Sequence, residues 1–400
     1  MNLKFCILTV FLFVTFINVQ LRAQTPEELI NELYSDKAWE VLSAIDAIQY
    51  LEIYEALPAI NELFDSQPPF LQLSFLNASL TLNDPQVESK ALDVISRADS
   101  FANYDSPFSY DPLEAKVEAT FVLLHTQNYS TVNYIFDIIK RDGIRKINVT
   151  AFVSLEIILD NVPSAENEAK DILVRIWDNS EDDSDRYFSM CALVEKYGAK
   201  MIDRVLISFI EDAYLPIRVV ALEYLFDFNY SELDSLIKSR LALEPEWSFR
   251  TDIADSLLFR FGEPSDLKTV IDYQPNEPNE TARSLMGFSI DEFIPPKPDS
   301  SDYNELCEKL ISYTDELFQY GWIQNEETQD YYEQRLVEVN NSITSSGDIN
   351  EACSIISSQI IPRAEQDLKD QIITEEGYKF LHYYTIYINE EFEKEFGPCP

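Results

Sequence analysis

Glycine is scarce in this 400-residue chain, with eight residues, about 2% against a usual level near 7%. Tight β-turns and phosphate-cradling loops both consume glycine, so its shortage argues against a β-rich fold and a nucleotide-binding loop. Histidine is nearly absent as well. A Ser-His-Asp arrangement, a Cys-His pair or a histidine-rich zinc site would have to use His125 or His382. His125 ends an apolar helix and His382 sits among tyrosines, and neither has a nucleophile or ligand at suggestive spacing, so both read as packing or surface residues. Positive charge is also short: 30 Lys and Arg stand against 71 Asp and Glu, a net charge of −41. Such a balance repels nucleic acid and anionic membranes, favours cationic partners or divalent ions, and keeps a chain soluble. Beyond the first two dozen residues there is no apolar run of the roughly 18 residues that a membrane span needs.

Residues 1–23 have the form of a cleaved signal peptide. Lys4 supplies the charged start, Cys6 to Val19 the apolar stretch, and Leu21-Arg22-Ala23 a small residue at the cut. Cleavage would remove Lys4 and Arg22 but no acid, taking the net charge from −41 to −43. The expected location is therefore secreted or periplasmic. Asn-x-Ser/Thr sequons fall at Asn77, Asn128, Asn148, Asn229, Asn279 and Asn340 and matter only in a host that glycosylates.

From about Asp36 to Tyr273 apolar helical patterns come in pairs that restart every thirty to forty residues. Openings fall near Lys37, Phe70, Pro112, Lys146, Arg186, Ile217 and Trp247. In the sixth, Pro216 opens the helix, Ile217, Val220, Ala221, Tyr224 and Leu225 make one face, and Ser231 is placed to cap the return helix. Units of this size stack on one another into a long surface. The phrase Ile217-Arg218-Val219-Val220-Ala221-Leu222, after Ser208-Phe209-Ile210-Glu211-Asp212, resembles HEAT repeats, with a weaker echo at Ala56 to Asp65. The other units are read as lacking the arginine.

Pro275, Pro278, Pro295, Pro296 and Pro298 mark 274–302 as a stiff linker, within which Ala282 to Ile294 is apolar enough to dock on the last repeat. Four helices then follow. The first carries Leu306, Leu310, Tyr313 and Leu317 and closes at Gly321; the second carries Tyr332, Leu336 and Val339. Ser346-Gly347-Asp348 turns into a third with Ala352, Ile355, Ile356 and Ile360. Thr374-Glu375-Glu376 starts a fourth with Tyr378, Leu381 and Ile388. The marks Leu317 to Gly321-Trp322-Ile323, Gly347-Asp348 before Glu351-Ala352-Cys353, and Ile372-Ile373-Thr374-Glu375-Glu376-Gly377-Tyr378 resemble the FIMAH domain, a helical module at the C-termini of secreted bacterial proteins. The resemblance implies an accessory module and no active site. Pro362 falls where that family continues its third helix, so a kink or early end is expected.

No catalytic, cofactor-binding or metal-ligating constellation emerges. Helical toroid glycosidases pair two acids with aromatic sugar platforms, for which Trp39, Trp177 and Trp247 are candidates, but such enzymes need glycine-rich inner loops. The run Asp178 to Asp185 fails the EF-hand pattern, since its sixth and twelfth places hold Asp183 and Ser189; its charge suits at most weak calcium binding. Cys191 reads as a buried thiol. Cys307, Cys353 and Cys399 belong at one end of the helical module. In an up-down bundle the fourth helix neighbours the first and third, so Cys399 is the shared partner, with Cys353 preferred and Cys307 competing.

The expected fold is all-α: a HEAT-like α-α superhelix over 24–273, the linker 274–302, and a small helical bundle over 303–400. The expected function is a secreted or periplasmic, non-catalytic scaffold that binds a protein or peptide through the repeat surface, without a cofactor. The alternatives are a carbohydrate-active enzyme or accessory protein with a toroid-like site, and a structural envelope component.

Overall fold

The computed structural model describes residues 24–104, 110–145, 147–298, 302–344 and 349–397. Residues 1–23, with the expected signal peptide, the expected turn at Ser346-Gly347-Asp348, and Cys399 lie outside them. The protein is all-α: among the described residues there are helices and no strand, and one isolated antiparallel bridge joins Ile323 to Ile373. No described helix is long and apolar enough to cross a membrane. The chain divides into two compact units, Met1–Met201 and Ile202–Pro400.

The first unit holds α1 (Pro26–Glu32), α2 (Ala38–Tyr50), α3 (Leu57–Leu63), α4 (Pro69–Thr81), α5 (Val87–Arg97), α6 (Pro112–His125), α7 (Asn133–Asp142), α8 (Val149–Asn161), α9 (Glu166–Asn179) and α10 (Asp183–Tyr197). Here α2, α4, α6, α8 and α10 pack each on the next, and α5, α7 and α9 pack beside them. The two sets differ in sequence as their positions require. Helix α4 buries Leu71, Gln72, Leu73, Phe75, Leu76, Ala78 and Ser79, which surround its axis, because neighbours cover it on several sides. Helix α5 buries only Val87, Lys90, Ala91 and Val94, a single face.

Few glycines are available to close these helices, and other residues take their place. After α2, α4 and α6, the chain turns through Glu52, Asn83 and Gln127, each with φ between +50° and +65°. The next amide in each case bonds back to a carbonyl five residues earlier, Ile53 to Ile48, Asp84 to Ser79 and Asn128 to Leu123, at 2.8–3.0 Å. This is the usual glycine closure made with side chains that strain in that backbone region.

The second unit begins with α11 (Ile202–Glu211), α12 (Leu215–Asp227), α13 (Leu233–Leu241), α14 (Trp247–Ser256), α15 (Pro264–Tyr273) and α16 (Glu280–Asp291). All seven expected openings fall within three residues of an observed helix start. Ile217, Ala221 and Leu225 are fully buried on α12, and Asn229 makes the same left-handed turn after it. Ser231 does not cap the return helix; α13 starts after Glu232 with no side-chain cap bond, and the Leu233 amide bonds the Tyr230 carbonyl of the turn at 3.0 Å.

The proline-rich segment is held at several points along its described length. Asn279 caps α16, which buries Ala282 and Met286 against α14 and α15. Phe293 follows, fully buried, with ring centroids 6.5 Å from Phe259 and 5.7 Å from Phe380. Lys297 reaches Glu390 and Glu391 at 2.7 Å each, and Tyr387 Oη donates to the Pro295 carbonyl at 2.7 Å. Gly262, at φ +66°, lies against the ring of Pro296, so an added Cβ would collide with that ring.

The remaining helices are α17 (Tyr303–Gln319), α18 (Glu326–Thr344), α19 (Ile349–Ile355), α20 (Ile361–Lys369) and α21 (Glu375–Phe396). Leu306, Leu310, Tyr313, Leu317, Tyr332, Leu336, Val339, Ile356, Ile360, Leu381 and Ile388 form the core, joined by Phe380, Tyr384 and Phe392. A π-helical turn, Ile356–Ile360, separates α19 from α20, and Pro362 stands in the first turn of α20, where a missing N–H is tolerated. Gly321 (φ +74°) and Gln371 (φ +57°) end two helices in the same way, and the strands of loop beyond them pair, Gln324 N to Ile372 O and Thr374 N to Trp322 O. Gly377 admits the Trp322 carbonyl so closely that a Cβ would lie 2.8 Å from its oxygen.

Candidate binding groove

Four helices carry an arginine at their fourth residue: Arg186 on α10, Arg218 on α12, Arg250 on α14 and Arg283 on α16. Each guanidinium donates to the carbonyl six residues earlier, that of Ser180, Asp212, Glu244 and Glu277 respectively. The side chain of that earlier residue accepts the amide two residues on, of Asp182, Tyr214, Glu246 and Asn279. Two of them in the second unit, Arg218 and Arg250, also reach forward. Arg218 Nη2 bonds Glu244 Oε1 at 2.7 Å, and Arg250 clasps Glu277 with two bonds of 2.7 and 2.6 Å. The reading that only the sixth repeat has the arginine is therefore corrected. The missed signal was Ser/Asp/Glu followed six residues later by Arg, recurring after 32, 32 and 33 residues. The Arg218–Glu244 and Arg250–Glu277 pairs are buried, and their work is to fix the turns that enter successive helices.

This ladder leaves a gap between α12 and α14. It is a groove of about 310 Å³ lined by Val219, Leu222 and Glu223 of α12, Phe249, Asp252, Asp255 and Ser256 of α14, and Phe259 and Arg260 beyond them. On both helices the lining residues recur at three- and four-residue steps, which keeps them on one face. Phe259 and Arg260 belong to a π-helical turn, Leu257–Phe261, that re-aims the end of α14, a distortion common at functional sites.

The floor is apolar and the walls are acidic. Leu222 and Phe249 are buried beneath the three carboxylates. Glu223 is engaged by Arg260, whose Nη2 lies 2.9 and 2.7 Å from its two oxygens and whose guanidinium stacks 4.1 Å from the Phe226 ring centroid. Asp255 accepts the Ser289 hydroxyl at 2.7 Å. Burial, then the negative charges of Asp255 and Glu223, hold the Asp252 carboxyl above its ordinary range. Phe259 is 46% exposed at the rim. Such a site can bind an organic cation, and no histidine lines it.

A second hollow of about 470 Å³ in the first unit is lined in part by Asn61, Phe64, Lys90, Asp93 and Arg97. Its charges are matched internally. Lys90 pairs with Asp84 and bonds Ser79 and Asn61, while Arg97 pairs with Asp93 and Asp65. Only the Lys90–Asp84 pair is buried; Arg97, Asp93 and Asp65 are partly or fully exposed, and each cation here already has an acidic partner.

The residues singled out from sequence are dispersed. His125 is exposed and its Nδ1 meets the Phe121 carbonyl at 2.9 Å; His382 stacks on Tyr378, and burial holds its imidazole below the usual range. Trp39 is exposed, Trp177 buried and Trp247 partly exposed on three different helices. The acidic run is mostly helix end and cap: α9 extends to Asn179, Asp182 accepts from Ser184 and Asp185, and burial raises the Asp185 carboxyl to about 6. Among the described residues no group of three or more His, Cys, Asp or Glu is placed to hold a metal ion. Cys191 is buried outside any disulfide, Cys307 is a fully buried free thiol, and Cys353 is disulfide-bonded; Cys399 lies outside the described residues.

No protein-family model matches this chain, and no curated protein matches it significantly.

Proposed function

We propose that the protein is a secreted or periplasmic, non-catalytic scaffold that holds a protein or peptide partner on a HEAT-like repeat surface, with a FIMAH-like module at its C-terminus. The observation that carries this reading is the open groove on α12 and α14, which combines an apolar floor with acidic walls. The packed proline-rich segment supports it as well, because it joins the helical module to the last helix pairs and covers apolar surface that would otherwise face water.

Asp252 and Asp255, one turn apart in the groove, favour a second reading as a carbohydrate-active protein. The test applies envelope extract and a glycan panel to the purified mature chain. Saturable retention of one protein partner, competed by free chain, is expected; turnover of any glycan refutes the scaffold assignment.

A further inference from the structure

The groove is short of positive charge. Its single cation, Arg260, is spent on Glu223 with both contacts, and Asp255 is met only by a neutral hydroxyl. Asp252 makes no hydrogen bond or ion pair among the described residues. Three carboxylates therefore face one guanidinium across a floor that includes Leu222 and Phe249. A divalent cation fits poorly, since no three ligating groups converge among the described residues. An anion is excluded by the walls. A monovalent cation on a hydrocarbon stem satisfies both parts at once, with the stem lying on the floor and the charged head between Asp252 and Asp255. Apolar surface continues beside the groove. Phe259 is 46% exposed, and Leu285, one turn before the Ser289 that binds Asp255, is 47% exposed.

We propose that this groove binds a lysine or arginine side chain presented by a basic amphipathic segment of a protein partner, whose neighbouring apolar residues cover Phe259 and Leu285. The proposal rests on the scaffold reading for the existence of a partner, and the net charge of −41 steers basic segments toward the molecule. A basic helix laid along two acidic helix faces is one way to meet both the charge and the apolar rim.

The experiment uses the full mature chain and a fluorescein-labelled, sixteen-residue peptide of alternating lysine and leucine faces, followed by anisotropy at physiological salt. Asp252→Asn and Phe259→Ala are each expected to weaken binding by about fivefold, since each removes one half of the recognition. Glu168→Gln, which removes one acid that does not line the groove, is expected to change it by less than about 1.5-fold, as salt screens a single charge outside the contact. Equal losses in Asp252→Asn and Glu168→Gln, or undiminished binding of a peptide with every lysine replaced by glutamine, would overturn the proposal. Circular dichroism confirms that each variant is folded before titration. Groove-dependent peptide binding without any envelope partner sinks the scaffold reading alone; a partner that binds Asp252→Asn and Phe259→Ala as tightly as the parent chain sinks the groove assignment alone.

Discussion

Replacing Arg250 with methionine asks how much one rung of the arginine ladder holds. The Arg250 and Glu277 side chains are 7% and 0% exposed. Nε and Nη2 bond the two carboxylate oxygens, and Nη1 bonds the carbonyls of Glu244 and Pro245 at 2.8 Å each. Methionine keeps most of the stem packing but leaves Glu277 with the Tyr273 hydroxyl and the Asn279 amide as side-chain donors, and strips two carbonyls of a donor. Removing one member of a buried ion pair costs roughly 3–5 kcal/mol, mostly through the stranded charge. Arg250→Met should therefore lower the stability of the second unit by about 4 kcal/mol at pH 7. Converting both members to methionine should cost clearly less than the sum of the single changes, a coupling of about 2 kcal/mol. The bond to Arg250 is the main cause that holds the Glu277 carboxyl below its ordinary 4.5. A lowered folded value means that the pair's contribution is complete above about pH 5 and is lost as pH falls through that lower value. The gap between parent and variant should accordingly be flat from pH 5 to 8 and shrink in stronger acid. Urea unfolding, with hydrogen exchange read at the Glu246 and Asn279 amides, measures both effects. A cost below about 1 kcal/mol at pH 7, or a gap unchanged in acid, refutes the assignment of this energy to the charge pair.

Gln127→Gly should raise the stability of the first unit by about 0.5–1 kcal/mol in urea, because Gln127 is exposed and strained at φ +63°. Glu156 is half-buried on α8 near Glu195 and Asp160, and desolvation first, then those charges, raises its carboxyl to about 7. Its neutral form is favoured in the folded chain, so that contribution is full below the ordinary 4.5 and fades as pH rises through 7. Glu156→Gln should thus gain on the parent between pH 4.5 and 7 and hold a lead on the order of 2 kcal/mol above it, seen in thermal midpoints across pH. Burial raises the Cys307 thiol to about 12 and leaves it 0% exposed, so aromatic disulfide reagents should label it only after unfolding.

The all-α fold was legible in the sequence because helical periodicity and glycine shortage are local signals. A face such as Ile217, Ala221 and Leu225 reports its own burial, and so do Leu306, Leu310, Tyr313 and Leu317. The helix openings followed for the same reason. The arginine ladder was present too, as an acid or serine six residues before each arginine, but the spacing gains meaning only once a guanidinium is seen to reach back to a carbonyl. Ser231 was misjudged as a cap because capping depends on the backbone angles of the turn, which the tight closure at Asn229 sets. Tertiary structure alone decided the rest. Asp252 and Glu223 lie 29 residues apart on separate helices, and only packing sets them across an apolar floor and leaves one of them without a cation. The proline-rich segment reads as a linker because proline forbids helix locally; it is held down because Phe293 finds a cavity between Phe259 and Phe380, more than thirty residues before it and more than eighty after it. Burial of that kind is a property of surfaces brought together by the chain, and no short stretch of sequence contains both halves.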